Sequence, residues 1–220
     1  MSHIHSYRRA GVFAAALLLL AAAAGTASPA AAQVGKNLGV VEPNLATRDQ
    51  LLALPGMTPA LAAEIIAGKP YADMVALDRV VAPRLTGDAK VELYRKLFIP
   101  IDLNAASREE ILLVPGVGNR MLREFLEYRP YAGINVFERE IGKYVDQAEV
   151  ARLAQYVFVP IDLNTGTDAQ FLTIPGVGSR MVREFKEYRP WTSMAQFDRE
   201  IGKYVPKTEV ARLRRYMTIR

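Results

Sequence analysis

Residues 114–131 read VPGVGNRMLREFLEYRPY, and sixty residues later, at 174–191, the chain reads IPGVGSRMVREFKEYRPW. In both stretches a Pro-Gly step leads to a valine, a second glycine follows, and a run with helix-like spacing of apolar residues continues to the next proline. A chain that reverses between two helices in a few residues needs backbone angles that a Cβ resists, and glycine accepts them. The residue between the glycines, Val117 or Val177, is free to plug into the core below. The stretch therefore predicts a tight corner between two short helices, with backbone amides left bare at the start of the second.

The same spacing recurs along the whole chain. Pro55-Gly56, Pro115-Gly116 and Pro175-Gly176 fall in step, as do Asn44, Asn104 and Asn164, and Leu93, Leu153 and Leu213. Lys69-Pro70-Tyr71, Arg129-Pro130-Tyr131 and Arg189-Pro190-Trp191 keep the same register without insertion or deletion. Self-similarity at a fixed period is the signature of a repeat architecture. The reading is three tandem modules of 60 residues, at 33–100 (with the repeat itself beginning near residue 41), 101–160 and 161–220. A core of that size is marginal alone. The joints FIPIDLN (98–104) and FVPIDLN (158–164) are apolar and short, unlike Gly/Ser tethers. Neighbouring modules are thus expected to lean on one another.

The expected class is all-α, with about four helices per module. A capping box opens the first helix of each: Thr47 with Gln50, Ser107 with Glu110, Thr167 with Gln170. That helix stops at Pro-Gly. A second runs from about 119 to 128 and cannot continue through Pro130. A third is suggested by the stripe Phe137, Ile141, Val145, and a fourth carries Val150, Leu153 and Val157. No convincing strand alternation is present.

The first 32 residues stand apart. Arg8 and Arg9 precede the apolar run Val12 to Ala24, and small residues lead to Ala30-Ala31-Ala32. These features predict a secretory signal peptide cleaved near Ala32, and hence a periplasmic or secreted product. The chain has no cysteine, and its only histidines, His3 and His5, lie within that segment. The remainder lacks the usual neutral-pH general base, the usual activated Ser or Cys nucleophile and the usual zinc ligands. No enzyme activity, cofactor, metal site or small-molecule substrate is expected. Losing Arg8 and Arg9 takes 28 basic residues to 26 against 23 acidic, a net charge of +3.

Bare amides at a helix start, with the positive end of the helix dipole, suit a phosphate oxygen. ILLVPGVG (111–118) and FLTIPGVG (171–178), each followed by a helix ending in E-Y-R, resemble the helix-hairpin-helix motif. The lead-in IDLNAAS (101–107) is similar to its start in exported competence DNA receptors, the ComEA-like family. The resemblance covers each module. It implies sequence-independent binding of duplex DNA through the phosphate backbone, with Gly116, Val117, Gly118, Arg120, Gly176, Val177, Gly178 and Arg180 as the contacting residues.

The chain departs from that pattern in ways that narrow the site. In the first module Thr58 replaces the second glycine and Ala60 stands where Arg120 and Arg180 stand, so that corner is expected to be structural. The second hairpins read Gly142-Lys143-Tyr144-Val145-Asp146 and Gly202-Lys203-Tyr204-Val205-Pro206, without a Gly-apolar-Gly core. The small residue that the family favours four positions after the second glycine is Ala62 in the first module, but Leu122 and Val182 in the others. The net charges of 41–100, 101–160 and 161–220 are 0, −2 and +4, from 7 basic and 7 acidic, 7 and 9, and 11 and 7 residues. Arg212, Arg214, Arg215 and Arg220 close the third.

Other features read as structure. Tyr128, Tyr131, Tyr188 and Trp191 beside the prolines are packing residues, and Phe197, Ile201 and Val205 form a core stripe. Glu124 with Glu127 and Glu184 with Glu187 read as surface pairs to Arg123 and Arg183. Two functional readings remain: a non-catalytic DNA-binding protein, with a role in DNA uptake, or an envelope protein-interaction scaffold that has lost DNA binding. The low net charge and the degenerate hairpins favour the second, while the intact corners at 115–120 and 175–180 put the DNA reading first.

Overall fold

The computed structural model describes residues 39–220; the predicted signal peptide, 1–32, lies outside the described residues. The chain is mostly helical. Helices α1 (Arg48–Leu52), α2 (Pro59–Ala67), α3 (Met74–Val81) and α4 (Gly87–Tyr94) are followed by strand β1 (Ile101–Asp102). Then come α5 (Arg108–Leu112), α6 (Asn119–Glu127), α7 (Ile134–Ile141), α8 (Gln147–Leu153) and β2 (Val157–Phe158). The chain ends with β3 (Ile161–Asp162), α9 (Asp168–Phe171), α10 (Ser179–Glu187), α11 (Met194–Ile201), α12 (Lys207–Arg214) and β4 (Met217–Thr218). No helix among the described residues is long and apolar enough to cross a membrane.

All three capping boxes form: Thr47, Ser107 and Thr167 each accept from the backbone three residues on, and the Gln50, Glu110 and Gln170 side chains return the bond. The helices they open have only four or five residues. Such lengths are not self-sustaining in water, so tertiary packing holds them. Leu51, Ile111 and Phe171 supply it, each buried on the inner face.

Two expectations change at helix ends. Val145 lies beyond α7, which stops at Gly142, and Val157 lies in β2 rather than at the end of α8. The chain leaves the helix at Ala154 because its next segment is drawn into a parallel pairing. Ile101 and Asp102 align with Val157 and Phe158, Ile161 and Asp162 align with Met217 and Thr218, and Val41 makes a single bridge to Leu97. These pairings join residues 56 apart in sequence, and two-residue strands leave no alternation to read beforehand.

The recurring asparagines explain the Pro-aromatic corners. Asn104 donates to the Tyr131 carbonyl at 2.9 Å and accepts from its amide at 2.6 Å. Asn44 treats Tyr71 in the same way, and Asn164 treats Trp191 likewise. Arg129 donates to the carbonyls of Leu103 and Ala106, and Arg189 to those of Leu163 and Gly166. One amide per corner, joined by a guanidinium in the second and third corners and by the Lys69 ammonium on the Ala46 carbonyl in the first, thus satisfies backbone groups that would otherwise be buried unpaired.

Among the described residues the buried apolar side chains form two clusters. One runs from Val40 to Val157 and includes Phe98, Phe125 and Phe137; the other runs from Leu163 to Met217 and includes Phe171, Phe185, Trp191 and Phe197. Aromatic contacts cross the joints. Phe98 meets Tyr156 edge to face at 5.0 Å, and Phe158 meets Tyr216 at 4.4 Å. The two ends of the described chain also meet. Arg215 donates to the Pro100 carbonyl at 3.3 Å, and the buried carboxyl of Glu42 lies within electrostatic reach of Arg212 and Arg215.

Burial raises the Glu42 carboxyl above its ordinary 4.5, outweighing the pull of Arg212. With the folded value raised, the native state holds a proton that the unfolded chain has released, so stability falls as pH climbs above about 4.5. Glu42→Gln is expected to flatten this decline. Melting temperatures of the two proteins should draw apart as pH rises from 4.5 towards neutrality, with the variant higher. Parallel curves would show that Glu42 does not titrate there.

Candidate nucleic-acid interface

The two Pro-Gly-Val-Gly corners have one geometry. Gly116 and Gly176 hold φ of +84° and +77°, and Gly56 holds +70°. This is the left-handed region in which glycine has no competitor. The first glycine also makes room: a Cβ on Gly116 would stand 2.9 Å from Arg152 Nη2. The second glycine is different. Gly118 and Gly178 have extended backbone, φ −103° and −108°, and a Cβ on either would meet nothing within 4 Å. Neither conformation nor packing demands glycine there.

What the second glycine changes is the helix start. Gly118 and Gly178 are the N-caps of α6 and α10, and no side chain caps either helix. Their first-turn amides have no intrahelical partner and lie at an exposed corner. In the first corner Thr58 occupies the same position, and its hydroxyl accepts the Leu61 amide at 3.2 Å. That helix is closed by its own cap. The difference between Thr58 and Gly118 is therefore a difference in open hydrogen-bond donors, with the backbone path unchanged.

The sequence-predicted residues fall as follows. Val117 and Val177 are buried plugs, and their amides donate to Val114 and Ile174 carbonyls at 3.0 Å within the turn. They support the corner, and the donors left over are those of the first helical turn, Asn119, Arg120 and Met121 in one case and Ser179, Arg180 and Met181 in the other. Arg120 and Arg180 are exposed in those turns. Gly116 and Gly176 shape the backbone, and Gly118 and Gly178 leave it uncovered.

Two further arginines stand against these corners. Arg152 and Arg212 lie beside Gly116 and Gly176, each gripped by both oxygens of a glutamate one turn earlier, Glu149 or Glu209, at 2.6–2.7 Å. The register held the signal: sixty residues before Arg152 stands Glu92, so the first corner has an acid there. The environments of the two arginines differ. The Arg152 side chain is 22% exposed and that of Arg212 only 4%.

The second hairpins lack an open corner of this kind. Gly142 and Gly202 have ordinary helical φ of −61° and −62° and cap the ends of α7 and α11. A Cβ there would strike the Glu138 or Asp198 carbonyl oxygen at 2.9 or 2.6 Å, so close approach is why glycine is needed. Asp146 caps α8 with its carboxylate, which repels an anion; Pro206 leaves α12 without a side-chain cap. Tyr128 and Tyr144 share a hydroxyl–hydroxyl bond of 2.9 Å beneath Lys143, as do Tyr188 and Tyr204 beneath Lys203. Those tyrosines tie the hairpin helices together. Glu124 and Glu184 are turned to Tyr144 and Tyr204 rather than to Arg123 and Arg183; with the Tyr128 and Tyr188 hydroxyls first, they hold both phenols above their ordinary range. Tyr131 and Trp191 are buried and unavailable for stacking on bases.

No group of His, Cys, Asp and Glu among the described residues is arranged to hold a metal ion. Comparisons of the chain with protein-family models, with curated proteins and with solved structures found no match.

Proposed function

We propose that the chain is built of three helix-hairpin-helix modules and binds duplex DNA without sequence preference, through phosphates held at the helix starts of α6 and α10. The observation that carries this reading is the pair of uncapped, exposed helix starts at Gly118 and Gly178, set against the self-capped start at Thr58. Oriented amides and the helix dipole favour an oxyanion there, and Arg120 and Arg180 add charge beside it. Contacts of this kind position a protein on a duplex and carry no base information. Export and a part in DNA capture outside the cytoplasm belong to the same proposal, resting on residues 1–32 of the sequence.

The protein-interaction reading has one observation of its own. The basic surplus of residues 161–220 is partly spent internally, since Arg212 pairs with Glu209, Arg214 with Asp198, and Arg215 turns to the Pro100 carbonyl.

Salt separates the two. Engaging about two to four phosphates releases a similar number of counterions, so log affinity should fall against log salt with a slope of about −2 to −4. Arg120→Ala with Arg180→Ala is expected to weaken binding to every sequence alike and to flatten that slope by up to about two units. Helicity should hold, because both side chains are exposed. Titration of a random-sequence duplex at several salt concentrations decides it. No binding by the wild type at low salt, or a full slope in the variant, ends the DNA reading and leaves the scaffold.

A further inference from the structure

The two joints read almost alike, FIPIDLN at 98–104 and FVPIDLN at 158–164, yet they end in different surroundings. Phe98, Ile99 and Ile101 are at most 1% exposed, and Pro100 is buried with them. Phe158, Val159, Pro160 and Ile161 are all half-buried. Residues 161–220 fold back onto the start of the chain and cover the first joint. Leu45 Cδ1 lies 2.9 Å from where a Cβ on Gly176 would stand, and Arg215 donates to the Pro100 carbonyl at 3.3 Å.

Each joint has a recess beside it, in the same register. The first is lined by Ala72, Asp73, Asp102 and Glu110, with Arg215 and Phe158 on its far side. Arg215 lies there within electrostatic reach of Asp102. The second recess has a volume of about 320 Å³, a size that suits a bound group. Ala132, Gly133, Asp162 and Gln170 stand in place of the four residues of the first, so one carboxylate remains of three. Its other walls are mainly apolar: the joint itself, Ile134 on one side, and Ile174 and Pro175 on the other. Two acceptors line it without the partner their counterparts have. Among the described residues no group donates to the Pro160 carbonyl. Asp162 accepts the Asn164 amide at 2.7 Å but pairs with no cation; Arg220 stands exposed at the rim.

We propose that the recess at the second joint is a docking site for a partner protein, and that its occupant is an arginine side chain flanked by a large apolar residue. The first joint shows that chemistry within this chain: a guanidinium on the proline carbonyl, close to the joint aspartate. The second joint offers the same carbonyl and the same carboxylate, at Pro160 and Asp162. The planar guanidinium fork serves both acceptors at once and loses little freedom per bond. A single carboxylate where the first recess has three matches an occupant with one charge, and the apolar walls take the neighbouring side chain. Asp162 repels an anion, so a DNA phosphate is the wrong ligand here. The site uses none of the uncapped helix starts, and it stands whether or not the chain binds DNA.

The probe is the capped tripeptide acetyl-Arg-Tyr-Met-amide, the chain's own sequence at 215–217, titrated into the full chain while amide chemical shifts are read by NMR. Shifts are expected at 157–162 and 170–175. The analogue with citrulline in place of arginine keeps the shape without the charge, and it should bind at least fivefold more weakly. Asp162→Asn should remove that preference and keep the fold, since the new side-chain oxygen can still accept the Asn164 amide. Asp102→Asn, in the first recess, should leave the preference in place. Thr173→Trp, at an exposed wall position, fills the recess; it should abolish binding of both peptides with an unchanged melting temperature. No shifts at these residues up to millimolar peptide, or equal binding of the two peptides to the wild type, overturns the proposal. A wild type that self-associates with rising concentration, and is dispersed by Thr173→Trp, overturns it as well, because the occupant is then a second copy of this chain.

Discussion

Gly118→Thr combined with Gly178→Thr is expected to reduce affinity for duplex DNA at least tenfold, about 1.4 kcal/mol, and to leave the protein as stable as before. Most substitutions that abolish binding at a glycine corner also damage the corner. These two should not. Both glycines have extended backbone that Thr58 also adopts, at φ −108° and ψ 158°, and neither has an atom within 4 Å of a new Cβ. Threonine and glycine are similar as N-caps, so the change in stability should stay within about 0.5 kcal/mol. The new hydroxyls would instead take up the first-turn amides, as Thr58 takes the Leu61 amide. Anisotropy titration at low salt, alongside thermal melting by circular dichroism, checks both halves. Undiminished binding with a well-folded variant would mean that these amides do not meet the phosphate.

The second large effect concerns stability and its division along the chain. Phe137→Ala is expected to cost about 3–5 kcal/mol, since it empties a fully buried site. The ring packs edge to face on Phe125 at 5.1 Å and on Tyr131 at 6.0 Å, so several neighbours lose contact together. The loss should be confined to 40–157, because Phe197, its counterpart sixty residues on, belongs to the separate cluster of 163–217. The sole tryptophan, Trp191, reports on that second cluster. In a urea titration the Phe137→Ala variant should lose helicity at lower denaturant while the Trp191 emission midpoint stays in place. If the two probes shift together, the junctions at Phe98–Tyr156 and Phe158–Tyr216 couple the whole chain into one cooperative unit.

How much of this was legible beforehand depends on how far apart the interacting residues lie. Ser107 and Glu110 meet within one helical turn, so the helix start could be read from four letters. The same holds for the positive φ at Gly116, set by a tight corner, and for the burial of Val117, set by its place between two glycines. The sixty-residue register carried Asn104 and Arg129 as well, although not their task of bonding the backbone of the Pro-Tyr corner and of the lead-in 103–106. The end of α8 falls short of Val157 because Val157 is held by Ile101, 56 residues earlier, and apolar residues at helical spacing do not say whether a helix or a partner strand will claim the last of them.

By itself, then, the sequence determined the helical class, the capped starts, the corners and the contrast between Thr58 and Gly118, all of which follow from the conformational preferences of adjacent residues. Only the tertiary structure decided that Arg152 and Arg212 flank the first glycines, and that Leu45 and Glu42 lie against the far end of the chain. Those depend on contacts between residues tens to more than a hundred positions apart. The near-identical strings 114–131 and 174–191 carry the same local instructions, and their difference in surroundings comes from a segment that neither string contains.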